Sequence, residues 1–228
     1  SGVYAVGERY NGLNFDALFD KYDHMGNLLW ENVRDTFDTE SAYAVTLLDC
    51  EIDDPGPCRL YTGGAEGITP RGGWVAELNP TTGVILQDNS IDNSARVLAL
   101  ITDLDGNLLA GATDDLTADW RLFNLGTSLM TNWQTTYTPG DVLRSLAVDR
   151  ENFIYAGGGT QVQPINALVV VFGDGGVVLD ELVIDNGQTE GINGVGIDPA
   201  NRLVAIGQRS GPAGTTFLVY RIFTGKGF

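Results

Sequence analysis

Two short runs of alternating apolar residues flank a polar turn in Leu143 to Gly159, LRSLAVDRENFIYAGGG. Leu146 and Val148 alternate with smaller or polar neighbours, and Phe153 to Ala156 resume with aromatic and β-branched residues before three glycines. Between them, Asp149 to Asn152 carry turn chemistry, so the pattern predicts strand, tight turn and strand. The same arrangement recurs in ALITDLDGNLLAGAT (99 to 113), in GVGIDPANRLVAIGQ (194 to 208) and, with a longer loop, in VTLLDCEIDDPGPCRLYTGGA (45 to 65). Asp49, Asp103, Asp149 and Asp198 share one position. Three residues after the last three stand Gly106, Asn152 and Asn201, the residue types that tolerate positive φ in a hairpin. An Asp side chain accepts a bond from the N–H two residues on, and the Gly or Asn then returns the chain.

A half copy, VYAVGE, begins at Val3. With Gly7, Gly64, Ala112, Gly158 and Gly207 taken as equivalent, the offsets are 57, 48, 46 and 49 residues. A period near fifty built of strands predicts propeller blades. Residues 1 to 42 supply three strands: VYAVGE, DALFDKYD and NLLWENVR. Residues 43 to 94, 95 to 139 and 140 to 190 supply four each, and residues 191 to 228 supply three. The prediction is one all-β domain over 1 to 228, a β-propeller of five blades of mostly four antiparallel strands. It lacks the first strand of the first blade and the outer strand of the last. Open edges invite pairing, so three arrangements are expected to deal with them: the terminal segments seal the ring, partner chains cover the edges, or the chain is a piece of a longer one. A single five-bladed ring is the favoured expectation.

The stretch V-Y-A-V-G-E followed by F-D-A-L-F-D-K-Y-D-H-M-G-N-L-L-W (3 to 30) resembles the β-propeller repeat of many bacterial surface and secreted proteins, with its glycine, its Lys-Tyr-Asp strand end and its Gly-Asn-Leu-Trp. Later units depart from it: Lys21-Tyr22-Asp23 becomes Glu77-Leu78-Asn79, Asn124-Leu125-Gly126 and Val171-Phe172-Gly173. The resemblance implies a propeller with a binding or scaffolding role and carries no shared catalytic residues.

Composition narrows the partners. With 30 Asp and Glu against 13 Lys and Arg, the formal charge of −17 repels phosphate backbones and anionic lipid. Nucleic acid is therefore not an expected partner, and no apolar run is long enough to span a membrane. The acidic residues are scattered through turns, as on a solvated surface; a saline habitat or a basic partner are the sharper readings. The Ser-Gly-Val start shows no signal segment and is compatible with export.

Candidate chemistry is sparse. Cys50 and Cys58 flank Glu51 to Pro57 at the base of a hairpin loop, where a disulfide would imply an oxidising location; two buried thiols in a cytosolic protein are the alternative. Two Cys and the lone His24, which is expected in an exposed outer turn, do not complete a zinc site. Asp103-Leu104-Asp105-Gly106-Asn107 resembles half a calcium loop without its bidentate Glu, so a plain hairpin turn is expected, and Glu51, Asp53 and Asp54 form a second weak Ca2+ candidate. No cofactor is otherwise expected. Trp74 and Trp120 begin the third strands of adjacent units, and Trp30 and Trp133 lie in fourth strands. They are expected to pack between blades or, in the functional reading, to stack sugars.

No local Ser-His-Asp or Cys-His pattern is present, and the chain is read as not an enzyme. The expectation is a structural or adhesive protein-interaction module, outside a cell or on a virus particle. It would dock protein partners or its own copies through open strands. A carbohydrate-binding propeller is the alternative, and a glycoside hydrolase with paired carboxylates is third.

Overall fold

The computed structural model describes residues 2–48, 58–138, 140–161, 164–212 and 214–222. Among them, 18 strands form five antiparallel sheets in chain order. The first holds β1 (Val3–Tyr10), β2 (Phe15–Tyr22) and β3 (Leu28–Arg34). The second holds β4 (Glu40–Leu48), β5 (Arg59–Glu66), β6 (Gly72–Leu78) and β7 (Ile85–Asp92). The third holds β8 (Ala95–Thr102), β9 (Leu108–Asp114), β10 (Trp120–Leu125) and β11 (Thr131–Tyr137). The fourth holds β12 (Gly140–Val148), β13 (Ile154–Thr160), β14 (Ala167–Phe172) and β15 (Val178–Ile184). The fifth holds β16 (Thr189–Ile197), β17 (Leu203–Gly211) and β18 (Gly214–Ile222).

Each middle sheet is a meander whose first strand packs against the first strand of the next: β4 on β8, β8 on β12, and β12 on β16. These are the inner strands of a β-propeller. The first sheet meets β4 through β1 and β2, as β5 and β6 meet β8. Strand β1 therefore takes the place of a second strand, and among the described residues no inner strand pairs with it. In the fifth blade β18 pairs with β17 on one side, and no outer strand follows it among the described residues. Among the described residues, no packing comparable to that between successive inner strands joins the fifth blade to the first.

Register shows how faithfully the unit repeats. Ala42, Val97, Leu143 and Ile192 face Gly64, Ala112, Gly158 and Gly207, and each is followed by a bulge in the inner strand. A bulge removes backbone groups from the ladder, and neighbours take some of them up. Thr113 Oγ1 accepts from Leu143 N at 3.0 Å, and Ser145 Oγ accepts from Val195 N at 3.1 Å, in each case across a blade boundary. Just before each bulge the inner strand also leans over the second strand. A Cβ on Gly64, Gly158 or Gly207 would lie 1.8, 2.0 or 2.1 Å from a carbonyl oxygen of its inner strand, so these positions have no room for a side chain.

The core lies between blades. Phe19, Leu60 and Trp74 fill the first boundary; Tyr61, Val97 and Phe123 the second; Trp120, Leu143 and Phe172 the third; Tyr155, Val169 and Ile192 the fourth. Because a neighbouring sheet covers each face, β9 and β13 are buried along their whole length, whereas the outer strands β7, β11 and β15 alternate with solvent. Each buried aromatic removes on the order of 150–250 Å² from water, which at ~25 cal/mol per Å² contributes about 4–6 kcal/mol.

Two inner strands begin before their apolar runs. Glu40 opens the paired region of β4 and Glu190 is the second residue of β16, at 0% and 1% exposure, so the expected starts at 43 and 191 are each a few residues late. Polar residues buried by hydrogen bonding carry no apolar signal.

Candidate functional site

The first turns of the third, fourth and fifth blades share one end of the propeller, and their chemistry is uniform. Asp103 Oδ1 accepts from Asp105 N (3.0 Å) and Asn107 N (2.8 Å), Asp149 Oδ1 from Glu151 N and Phe153 N, and Asp198 Oδ1 from Ala200 N and Arg202 N. Gly106, Asn152 and Asn201 have φ of 80°, 66° and 57°, as their place in the repeat requires. The asparagines also reach sideways: Asn152 Oδ1 accepts from Leu104 N, and Asn201 Oδ1 from Arg150 N, each at 3.0 Å. Successive turns are thus clasped blade to blade. Pro199, at the equivalent place in the last turn, has no N–H to offer onward.

Between the third and fourth blades at this end lies a pocket of about 200 Å³. Its floor is an amide and carboxylate network: Asn124 Nδ2 donates to Asp103 Oδ2 (3.0 Å), Asn132 Nδ2 to Asn124 Oδ1 (2.8 Å), and Asn152 Nδ2 to Asp105 Oδ2 (3.0 Å). Half-buried Trp133 forms one wall, and exposed Asp105 and Asp174 stand at the rim. Gly176 fixes the indole, since a Cβ there would come within 2.6 Å of its ring. A rigid aromatic surface beside fixed amide and carboxylate groups can hold a small polar ligand that has an apolar face.

The opposite end is built of ion pairs. Arg34 meets Glu66 (2.8 Å) and Asp88 (3.3 Å) and stacks over Trp74; Arg121 joins Asp92 to Asp114; Arg71 and Arg96 share Asp115. Burial alone would raise the Asp114 pKa, but bonds from Leu116 N, Thr117 N and Ser94 and the Arg121 charge outweigh it, and the group sits below the usual carboxylate value. At the first-turn end, Glu77 is lowered chiefly by its hydrogen bonds from Arg59.

The structure separates the residues singled out in the sequence. Trp74 and Trp120 are each 1% exposed, packed against Phe19 and Tyr137, and neither presents a ring face to a ligand; this is the interblade packing, not the stacking platform. Trp133 lines the pocket between the third and fourth blades, and its strand pattern carries no signal that sets it apart from Trp30. His24 is exposed in the turn after β2. All the Asp103 bonds named above come from N–H groups, which is the hairpin-turn arrangement. Cys58 immediately precedes β5; Cys50, Glu51, Asp53 and Asp54 lie outside the described residues, and with them the expected pairing and the second Ca2+ candidate. Among the described residues no helix is long and apolar enough to cross a membrane.

No family model matches the chain, and no curated protein matches it. Solved structures do. Virginiamycin B lyase from Staphylococcus aureus superposes with a TM-score of 0.59 at 9% identity, covering 98% of this chain and 76% of that one. The Pan2 WD40 domain of Neurospora crassa gives 0.57 at 10% identity over 92% and 63%. A GH43 β-1,3-galactosidase solved with galactodeoxynojirimycin gives 0.54 at 8% identity over 95% and 89%. The chain thus spans between about two thirds and nine tenths of these relatives' lengths. At such identities the likeness shows a β-propeller fold, and a propeller serves many activities.

Proposed function

We propose that this propeller is a non-enzymatic interaction module that joins a partner, or further copies of itself, by accepting strands at its two open edges. The observation that carries the reading is the pair of incomplete blades: the inner edge of β1 and the outer edge of β18 have no partner strand among the described residues. Val3 and Tyr10 on β1, and Phe217 and Val219 on β18, are each at least 60% exposed, so an added strand would gain apolar contacts as well as ladder hydrogen bonds. The acidic balance favours a basic partner. A site outside the cell or on a virion surface is part of the proposal and rests on a Cys50–Cys58 disulfide. The test is the native mass of the protein from its source, taken with the intact chain mass. An assembly, or a longer parent chain, is expected; a 24.4 kDa monomer of unchanged chain length would refute it.

A second reading, carbohydrate binding, is favoured by the Trp133 pocket. It predicts quenching of tryptophan fluorescence by a glycan and loss of that response in Trp133→Ala. Flat titrations across a broad glycan panel would remove it.

A further inference from the structure

The connection from the first blade to the second buries more negative charge than its neighbours neutralise. Asp16 on β2 is 2% exposed, Glu40 at the start of β4 is 0% exposed, and exposed Asp35 follows β3. One carboxylate oxygen from each lies within 4.8 Å of the other two.

The equivalent glutamate of the fifth blade shows what is missing. Glu190 has both oxygens met by Asn186, four residues earlier, through its N–H (3.2 Å) and its amide (2.8 Å). At the same spacing Glu40 has Thr36, whose N–H (2.7 Å) and hydroxyl both go to Oε1. Oε2 of Glu40 is buried with no hydrogen-bond partner. Leaving a buried carboxylate oxygen unmet is costly, and the equivalent Glu190 avoids it.

Charge points the same way. Arg34 is 3.6 Å from Glu40 Oε1 and is shared with Glu66 and Asp88. Arg9, opposite Asp16 in the register, places its guanidinium on Glu31 at 2.6 Å. Asp16 Oδ1 has Asn11 Nδ2 (2.7 Å) and Asp35 Oδ1 has Phe37 N (2.9 Å), both neutral donors.

We propose that Asp16, Asp35 and Glu40 bind a hard divalent cation, calcium, which pins the first blade to the second. Carboxylate ligands sit about 2.3–2.6 Å from Ca2+, so two on opposite sides of one ion are at most about 5 Å apart. The observed spacing fits that span. An all-oxygen set with no His or Cys selects a hard ion, and ligands drawn from a strand, a connection and a strand start suit calcium's tolerance of irregular geometry better than magnesium's octahedron.

The test is calcium titration of EDTA-stripped protein by calorimetry and thermal denaturation, with Glu40→Gln and Asp35→Asn variants. Asp35 is exposed, so its variant remains informative if the buried one fails to fold. Saturable binding is expected, with a rise in melting temperature of about 5 °C at millimolar Ca2+ and a dissociation constant at least about tenfold weaker in Asp35→Asn. An absent response, an equal rise in NaCl of matched ionic strength, or an unchanged constant in Asp35→Asn would overturn the site.

Discussion

Replacing Gly158 by alanine tests the repeat at its tightest point. The new Cβ would stand 2.0 Å from the Val142 carbonyl oxygen and 2.7 Å from the Trp120 ring, against a normal contact of at least 3.4 Å. Neither obstacle is the free end of a flexible side chain. The carbonyl is that of Val142, in the register shift between Gly140 and Leu143, and it shares a peptide group with the Leu143 N–H that Thr113 holds. Relief requires moving inner-strand backbone by more than an ångström, which places the cost at the upper end of overpacking, about 3 kcal/mol. For a domain of this size that lowers the melting temperature by about 6–12 °C. The third blade supplies the control. Ala112 occupies the same register opposite Val97, so Ala112→Gly should cost only the flexibility of glycine, about 1 kcal/mol. Thermal unfolding followed by far-UV circular dichroism reads both. A Gly158→Ala protein melting within a degree or two of the parent would refute the bulge-and-glycine account of the repeat.

Asp149→Ala removes the acceptor of Glu151 N, Phe153 N and the buried Tyr155 hydroxyl, and a loss of about 3 kcal/mol is expected from the urea midpoint. Glu77 and Asp114 have pKa values below the ordinary 4.5 and 3.8, so the stability they contribute is complete above those values and lost as pH falls below them. Melting temperature should therefore drop steeply below about pH 4.5, and Arg59→Met should soften the drop; a profile flat down to about pH 3 would contradict the ion-pair reading. Alkylation of unreduced, denatured protein should label neither Cys50 nor Cys58, whereas two labels would withdraw the disulfide and with it the case for an external location.

Much of the fold was legible because the turn chemistry is local. Asp103, Asp149 and Asp198 announce their hairpins three residues ahead of a positive φ, and the glycine register follows from spacing alone. The three-stranded first and last sheets of the described residues were legible too, by comparing units. What stayed hidden depends on contacts between units. Whether Trp74, Trp120 or Trp133 faces a neighbouring sheet or a pocket is a matter of blade packing, which the strand pattern does not encode. Asp16, Asp35 and Glu40 are spread over three elements with no common motif, and only the fold brings them together. Burial of Glu40 and Glu190 runs against composition, since a charged residue at a strand start reads as the end of the preceding loop.

Amide hydrogen exchange at the two edge strands tests the central claim most directly, comparing the protein in its source assembly with the isolated chain. If the edges accept strands, alternate amides of Val3–Tyr10 and Gly214–Ile222 should exchange in the assembly as slowly as those of the fully paired β5. Equal and rapid exchange at both edges in the assembly and in the isolated chain would contradict it.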